Sequence, residues 1–337
     1  MSEIAIIGAG AWGTALAIIL GRTGAHRVRL WAHEKEVCDS IAQRRINEKF
    51  LPGQQIPVSI TPCHNLEQAL DCAVIVVSVM PSQHCRRLFE QMKPLLRANT
   101  IIISATKGLE ENSLLRMTEV IAQVIKGDAR EPLRVGALSG PSFALEAARG
   151  DPTAIAIASQ DAELARTVQR EFSNASFRIY TNEDTVGVEL GGALKNTIAI
   201  AAGVSAGLGL GHNSVAALIT RGLAEMTRLV VAYGGKAETM AGLAGLGDLV
   251  LTCTGALSRN RSVGVELGRG RKLQEILAGM HGMVAEGIFT TTAAAGLARA
   301  RGVEMPITEQ MQAILYKGKS PREAIYELMT RSGKSET

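Results

Sequence analysis

Residues 4–20 place a strand, a glycine loop and a helix start in immediate succession. Ile4-Ala5-Ile6-Ile7 is an apolar run of the kind that fills a parallel sheet buried on both faces. Gly8-Ala9-Gly10-Ala11-Trp12-Gly13 follows without a spacer, and Thr14-Ala15-Leu16-Ala17-Ile18-Ile19-Leu20 continues as a buried helix. A Gly-x-Gly-x-x-Gly loop means little alone. Between a strand and a helix it points to a dinucleotide site, the alternative being a purely structural βα turn. Gly8 permits the tight turn, Gly10 lets the backbone approach a pyrophosphate, and Gly13 lets the helix pack close to the sheet. The N–H groups at the helix start, with the positive end of its dipole, then face the phosphates.

The rest of the N-terminal half keeps the same grammar. Strand-like runs at 4–7, 27–31, 57–60, 72–79, 100–105, 134–138, 153–158 and 177–180 are separated by helical patterns such as 34–45, 82–92, 113–125 and 161–172. This alternation predicts an α/β, Rossmann-like, doubly wound and mainly parallel sheet over residues 1–182. From 183 to 337 the strand signal disappears, and Ala-, Leu- and Gly-rich helical stretches predict an all-α domain: 183–203, 214–233, 273–278, 290–301, 306–316 and 321–329. A chain of 337 residues exceeds one ordinary core, so two domains with a cleft between them are expected.

Composition excludes several classes. Hydrophobic residues make up 46% and charged residues 20%, as in a globular rather than a disordered chain. The net charge of +4 comes without a Lys/Arg block, so nucleic acid is not needed as a partner, while the mild positive bias suits an anionic substrate. No apolar run approaches the ~18–20 residues that span a bilayer, and the strand at the N-terminus leaves no room for a signal peptide. The five cysteines and six histidines are scattered, with no C-x-x-C pair. We therefore expect a cytoplasmic protein with no metal and no membrane insertion.

NAD-specific folds carry Asp or Glu at the end of the second strand to hold the ribose 2′-OH. Here the strand ends Leu30-Trp31 and continues Ala32-His33-Glu34. Ala32 removes repulsion against a 2′-phosphate, and His33, Arg44 and Arg45 are positioned to favour one, unless those arginines only line a solvated helix face. NADP(H), or both cofactors, is expected over strict NAD(H).

Three clusters carry the chemistry. Lys195 sits within Glu189-Leu190-Gly191-Gly192-Ala193-Leu194-Lys195-Asn196-Thr197, a small-residue helix expected to be buried on most sides. A buried ammonium is expensive unless it reaches a cleft, a partner or a substrate, and burial moves its pKa toward the range useful for proton transfer. The alternative is a lysine snorkelling to solvent. Lys107, in Ser104-Ala105-Thr106-Lys107-Gly108, follows a strand's carboxyl end, where ligands bind in open α/β sheets, or else is an ordinary loop lysine. Finally, Gly242-Leu243-Ala244-Gly245-Leu246-Gly247-Asp248 runs on to Ser258-Arg259-Asn260-Arg261. Asp248 is suited to orient a lysine, and Arg259 and Asn260 offer donors that match phosphate.

Together these segments resemble the soluble, bacterial-type NAD(P)-dependent glycerol-3-phosphate dehydrogenases over nearly the whole chain. The matching pieces are Gly-Ala-Gly-Ala-Trp-Gly-Thr-Ala from Gly8, Ala-Thr-Lys-Gly-Leu-Glu from Ala105 and Ser-Gly-Pro-Ser-Phe-Ala from Ser139. To these are added Gly-Gly-Ala-Leu-Lys-Asn from Gly191, Ala-Gly-Leu-Gly-Asp-Leu from Ala244, Ser-Arg-Asn-Arg from Ser258 and Val-Ala-Glu-Gly from Val284, where many members have Val-Val-Glu-Gly. The resemblance implies that Lys195 is the proton donor and acceptor. It implies substrate contacts at Lys107, Gly140, Ser142, Asp248, Ser258, Arg259 and Asn260. Cofactor contacts are implied at Gly8, Gly10, Ala11, Trp12, Gly13, His33, Lys107, Ala144, Arg259, Val284 and Glu286. It also implies reduction of dihydroxyacetone phosphate to sn-glycerol 3-phosphate for phospholipid synthesis, by a homodimer. Two rivals are a reductase of a β-hydroxy acid or sugar-phosphate acid with the same architecture, and a non-catalytic NAD(P)-binding sensor. A short-chain reductase is disfavoured, because Tyr233-Gly-Gly-Lys236 is not the Tyr-x-x-x-Lys pair.

Overall fold

Strand β1 (Ser2–Ile7) lies inside the sheet, and its side chains are claimed alternately by two cores. Ile4 and Ile6 pack with Leu16, Leu20, Leu30 and Ile103 on one face, while Ala5 and Ile7 pack with Val76, Phe89 and Ile102 on the other. The period of two along a strand makes this possible, and the apolar run supplies both faces. The computed structural model describes residues 2–125, 133–280, 284–333 and 335.

The remaining strands are β2 (His26–Trp31), β3 (Ile46–Asn47), β4 (Leu51–Gln55), β5 (Ile60–Cys63), β6 (Ile75–Ser78), β7 (Ile101–Ser104), β8 (Val135–Ser139), β9 (Thr153–Ala158) and β10 (Phe177–Asn182). The main sheet has the order β10-β9-β8-β7-β6-β1-β2-β5, and β3 and β4 form a separate antiparallel hairpin. All neighbours in the main sheet are parallel except β8 and β9. The winding direction reverses between β1 and β6, and ligands bind beyond the carboxyl ends of strands at such a switch point.

The expected strand at 57–60 is displaced to Ile60–Cys63. Pro57 has no N–H to give a ladder, and the Arg45 guanidinium donates to the carbonyls of Ile56, Pro57 and Ile60. The expected strand at 72–79 shortens to Ile75–Ser78, because Cys72 takes a left-handed φ of 59°. The hairpin was not legible: Leu51-Pro52-Gly53-Gln54-Gln55 has the composition of a loop.

The long helix Thr185–Gly207 organises the rest. Asp184 caps it, accepting from the Gly187 N–H at 2.7 Å, and every residue from Gly187 to Ser205 is buried. The helix Arg259–Gly268, not among the helices expected from the sequence, runs alongside it. Asn260 meets Asn196, Gly264 meets Ile200 and Gly268 meets Val204, a constant register at helical spacing. A Cβ at Gly264 would stand 2.0 Å from the Ile200 carbonyl oxygen, and one at Gly203 would stand 2.0 Å from that of Arg261. Glycine at this contact therefore lets two backbones touch, and that contact brings Arg259 and Asn260 beside the Lys195 segment. Among the described residues, no single helix is long and apolar enough to cross a membrane.

Candidate active site

The glycine loop has the geometry its spacing requires. Gly8 has φ 125°, and a Cβ there would stand 2.0 Å from the Val79 carbonyl oxygen; one at Gly13 would stand 1.9 Å from the Gly8 carbonyl oxygen. Gly10 is different. Its backbone is ordinary, and a Cβ would meet nothing within 4 Å. Space kept open above a loop glycine is what a closely approaching ligand needs. No side chain caps the helix Ala11–Arg22, so its first-turn donors remain for an anion. The residues present thus fit a dinucleotide. Trp12 stacks obliquely on Phe177, ring centroids 6.4 Å apart, and its buried Nε1 has no partner among the described residues.

At the ribose end the two arginines differ from each other. Arg45 is held by three backbone carbonyls, whereas Arg44 makes only a solvent-exposed pair with Glu48 at 2.9 Å, on the solvated face of its helix. His33 is exposed, its ring 5.8 Å from that of Trp31, and Ala32 is buried.

Lys195 does not snorkel: it is only 6% exposed. Its Nζ donates to Asp248 Oδ1 at 2.7 Å and to Thr252 Oγ1 at 2.7 Å. Lys107 Nζ donates to the other oxygen of the same carboxylate at 2.8 Å, to the Gly140 carbonyl at 2.7 Å and to Ser142 Oγ at 3.2 Å. One buried carboxylate therefore bridges two ammonium groups. An ammonium has three N–H bonds. Those of Lys107 are all engaged, whereas Lys195 keeps one without a partner among the described residues. Burial pushes the Lys107 pKa down to about 8; the Asp248 carboxylate opposes the shift and the neighbouring Lys195 charge adds to it.

Beside this pair, Asn196 donates to the Lys107 carbonyl at 3.3 Å and accepts from Asn260 Nδ2 at 2.9 Å, and Asn260 Oδ1 accepts from the Gly287 N–H at 3.0 Å. Asn260 is therefore a link between three helices. Ser258 Oγ caps the helix Arg259–Gly268, accepting from the Arg261 N–H at 3.2 Å. Arg259, the first residue of that helix, is exposed and makes no ion pair within 4 Å among the described residues. The protein around it lowers its pKa, Glu286 raises it, and a guanidinium stays charged in either case.

Glu286 makes a long-range link that the sequence did not disclose. Its carboxylate accepts from the Ser82 N–H at 2.9 Å and from Ser82 Oγ at 2.7 Å. Burial raises its pKa, and the two Ser82 bonds and Arg259 hold it down. Gly140 has φ 142° and lies against Ile155, Ala144 begins the helix Ala144–Arg149, and Val284 is half-buried just before the helix Glu286–Arg301. Thr252, Asn196 and Ser82 were not singled out from the sequence. Thr252 was detectable as the residue one helical turn beyond Asp248.

Residues 3–165 match the family described as NAD-dependent glycerol-3-phosphate dehydrogenase N-terminus, and residues 184–326 match its C-terminus. The glycerol-3-phosphate dehydrogenase [NAD(P)+] of Koribacter versatilis is 66% identical over 336 residues, covering 100% of this chain and 99% of the relative. That of Acidobacterium capsulatum is 55% identical, covering 100% of each chain. The crystal structure of glycerol-3-phosphate dehydrogenase from Coxiella burnetii superposes with a TM-score of 0.93 at 41% identity, covering 98% of this chain and 99% of that one.

Proposed function

The chain belongs to the NAD-dependent glycerol-3-phosphate dehydrogenase family, with the NAD(P)-dependent activity of that family, and we propose that Lys195 is the general acid and base of its reaction. The reaction interconverts dihydroxyacetone phosphate and sn-glycerol 3-phosphate. Residues 1–182 hold the cofactor, and the helices of 183–337 complete the site. The observation that carries this reading is the unused N–H of Lys195, beside a Lys107 whose donors are all engaged.

NAD(P)H, when bound, supplies the hydride. As negative charge builds on the ketone oxygen, the free N–H of Lys195 donates to it and then transfers its proton, so the ketone gains one hydride and one proton. Asp248 and Thr252 fix the ammonium so that only one N–H remains for this task. Arg259 and the start of its helix hold the phosphate away from the reacting carbon, so their binding energy is spent on orientation. Lys107, with Gly140 and Ser142, forms the wall between cofactor and substrate, and Gly8, Gly10, Ala11, Trp12 and Gly13 receive the pyrophosphate. The free, dispersed cysteines and the family resemblance support work in the cytoplasm, as a homodimer, feeding phospholipid synthesis.

Oxidation of NADPH and of NADH with dihydroxyacetone phosphate, against unphosphorylated dihydroxyacetone, tests the substrate. Rapid turnover is expected only with the phosphate ester, and equal turnover with both would remove the phosphate pocket. The pKa of about 8 at Lys107 adds a pH dependence. The ammonium is charged below that value and neutral above it, so affinity for the anionic substrate should fall as pH rises through about 8. A substrate KM independent of pH across this window would place Lys107 outside the anion's reach.

A further inference from the structure

The hairpin formed by β3 and β4 inserts a side chain beneath the glycine loop. Asn47, on β3, is 0% exposed. Its Nδ2 donates to the Ala9 carbonyl at 2.8 Å and to Thr14 Oγ1 at 2.8 Å, and its Oδ1 accepts from the Phe50 N–H at 3.1 Å. The amide orientation is settled by its partners, since a carbonyl accepts and a backbone N–H donates. Thr14 Oγ1 also donates to the Ala9 carbonyl, at 3.3 Å. The middle residue between Gly8 and Gly10 is thus held by two hydroxyl and amide donors from outside the loop.

The Ala9 carbonyl shares one planar trans peptide with the Gly10 N–H, and the two point in opposite directions. Fixing the carbonyl therefore aims the N–H. That N–H has no partner among the described residues, and it lies at the loop position where a Cβ would find open space. We propose that Asn47 is a positioning residue for the dinucleotide: it anchors the Ala9 carbonyl and so presets the Gly10 N–H toward the cofactor's pyrophosphate. The hairpin is then part of the cofactor site, though none of its side chains need touch the cofactor for this role. The inference rests on the reading that the loop at residues 8–13 holds the pyrophosphate.

Asn47→Asp separates the two roles of the side chain. It keeps an acceptor for the Phe50 N–H but puts a carboxylate oxygen where the donor to Ala9 and Thr14 stood. The Kd for NADPH and for NADH, measured by fluorescence titration, should rise about 10- to 100-fold. With saturating cofactor, the KM for dihydroxyacetone phosphate should change by less than about twofold and kcat by less than about threefold, because the reacting groups are untouched. Thr14→Val should raise the cofactor Kd by a smaller factor, and Thr14→Ser, which keeps the hydroxyl, should restore it. Should Asn47→Asp fail to fold, the Thr14 pair carries the same test. A melting temperature lowered with the cofactor Kd unchanged would overturn the proposal and leave Asn47 a structural clip. Gly10→Val is the control: a Cβ at Gly10 meets nothing within 4 Å, so the loss is expected in cofactor binding. If Gly10→Val leaves the Kd unchanged, the pyrophosphate reading and the proposal fall together. If Gly10→Val weakens binding but Asn47→Asp does not, the proposal falls alone.

Discussion

Lys195→Ala is expected to lower kcat by about 10²–10⁴, the range typical of a lost general acid, with a much smaller effect on the KM for dihydroxyacetone phosphate. The variant should remain folded. Asp248 is only 1% exposed, but it keeps its second ammonium partner, Lys107, at 2.8 Å, so the truncation does not leave a buried carboxylate unpaired. Thr252 Oγ1 also keeps a partner, the Asp248 carbonyl at 2.6 Å. The loss should therefore appear in turnover and not in the melting temperature. Lys195→Arg is the sharper variant. It restores positive charge near the ketone oxygen, but a guanidinium does not release its proton. If charge alone drives the reaction, Lys195→Arg recovers most of the rate; if proton transfer matters, it stays near the alanine level. Near-normal kcat in Lys195→Ala would remove the lysine from the mechanism altogether.

Lys195 was visible in the sequence because a lysine among glycine, alanine and leucine on one helix has few places to go. The glycine loop was visible for a similar reason, since strand, loop and helix are contiguous and each glycine answers a local steric demand. What joins these pieces was not visible. Lys107 reaches Asp248 across 141 residues and Lys195 reaches it across 53, so nothing in local periodicity announces that one carboxylate serves both lysines. The hairpin escaped for a different reason. Its second strand contains Pro52 and Gly53, which mark turns, and its pairing with only one other short strand gives no apolar alternation to read. Asn47 was hidden with it. Glu286 and Asn260 were named as ligand contacts, yet both are committed to protein partners here, Glu286 to Ser82 and Asn260 to Asn196 and Gly287. A polar residue in a motif can hold the walls of a site together as well as face its contents. Only the packed structure shows the division.

Arg259→Ala should lower kcat/KM for dihydroxyacetone phosphate by about 10²–10³, the size expected when the charged anchor of a bound anion is truncated. Arg259 stands at the first position of the helix Arg259–Gly268, whose N-cap hydroxyl, Ser258 Oγ, is already used on the Arg261 N–H. The guanidinium itself has no ion-pair partner within 4 Å among the described residues, so it is a fork of donors held ready at a helix N-terminus. The informative readout is the comparison with unphosphorylated dihydroxyacetone. That substrate lacks the anion, so its already low kcat/KM should change by less than about threefold, and the preference for the phosphate ester should shrink by nearly the whole loss. Inhibition by inorganic phosphate should weaken in parallel. Arg259→Lys should recover part of the preference, because an ammonium keeps the charge but not the planar, two-pronged geometry. Equal losses on both substrates, with phosphate inhibition intact, would move the anion site away from this helix and leave Arg259 a role in closing the cleft opposite Glu286.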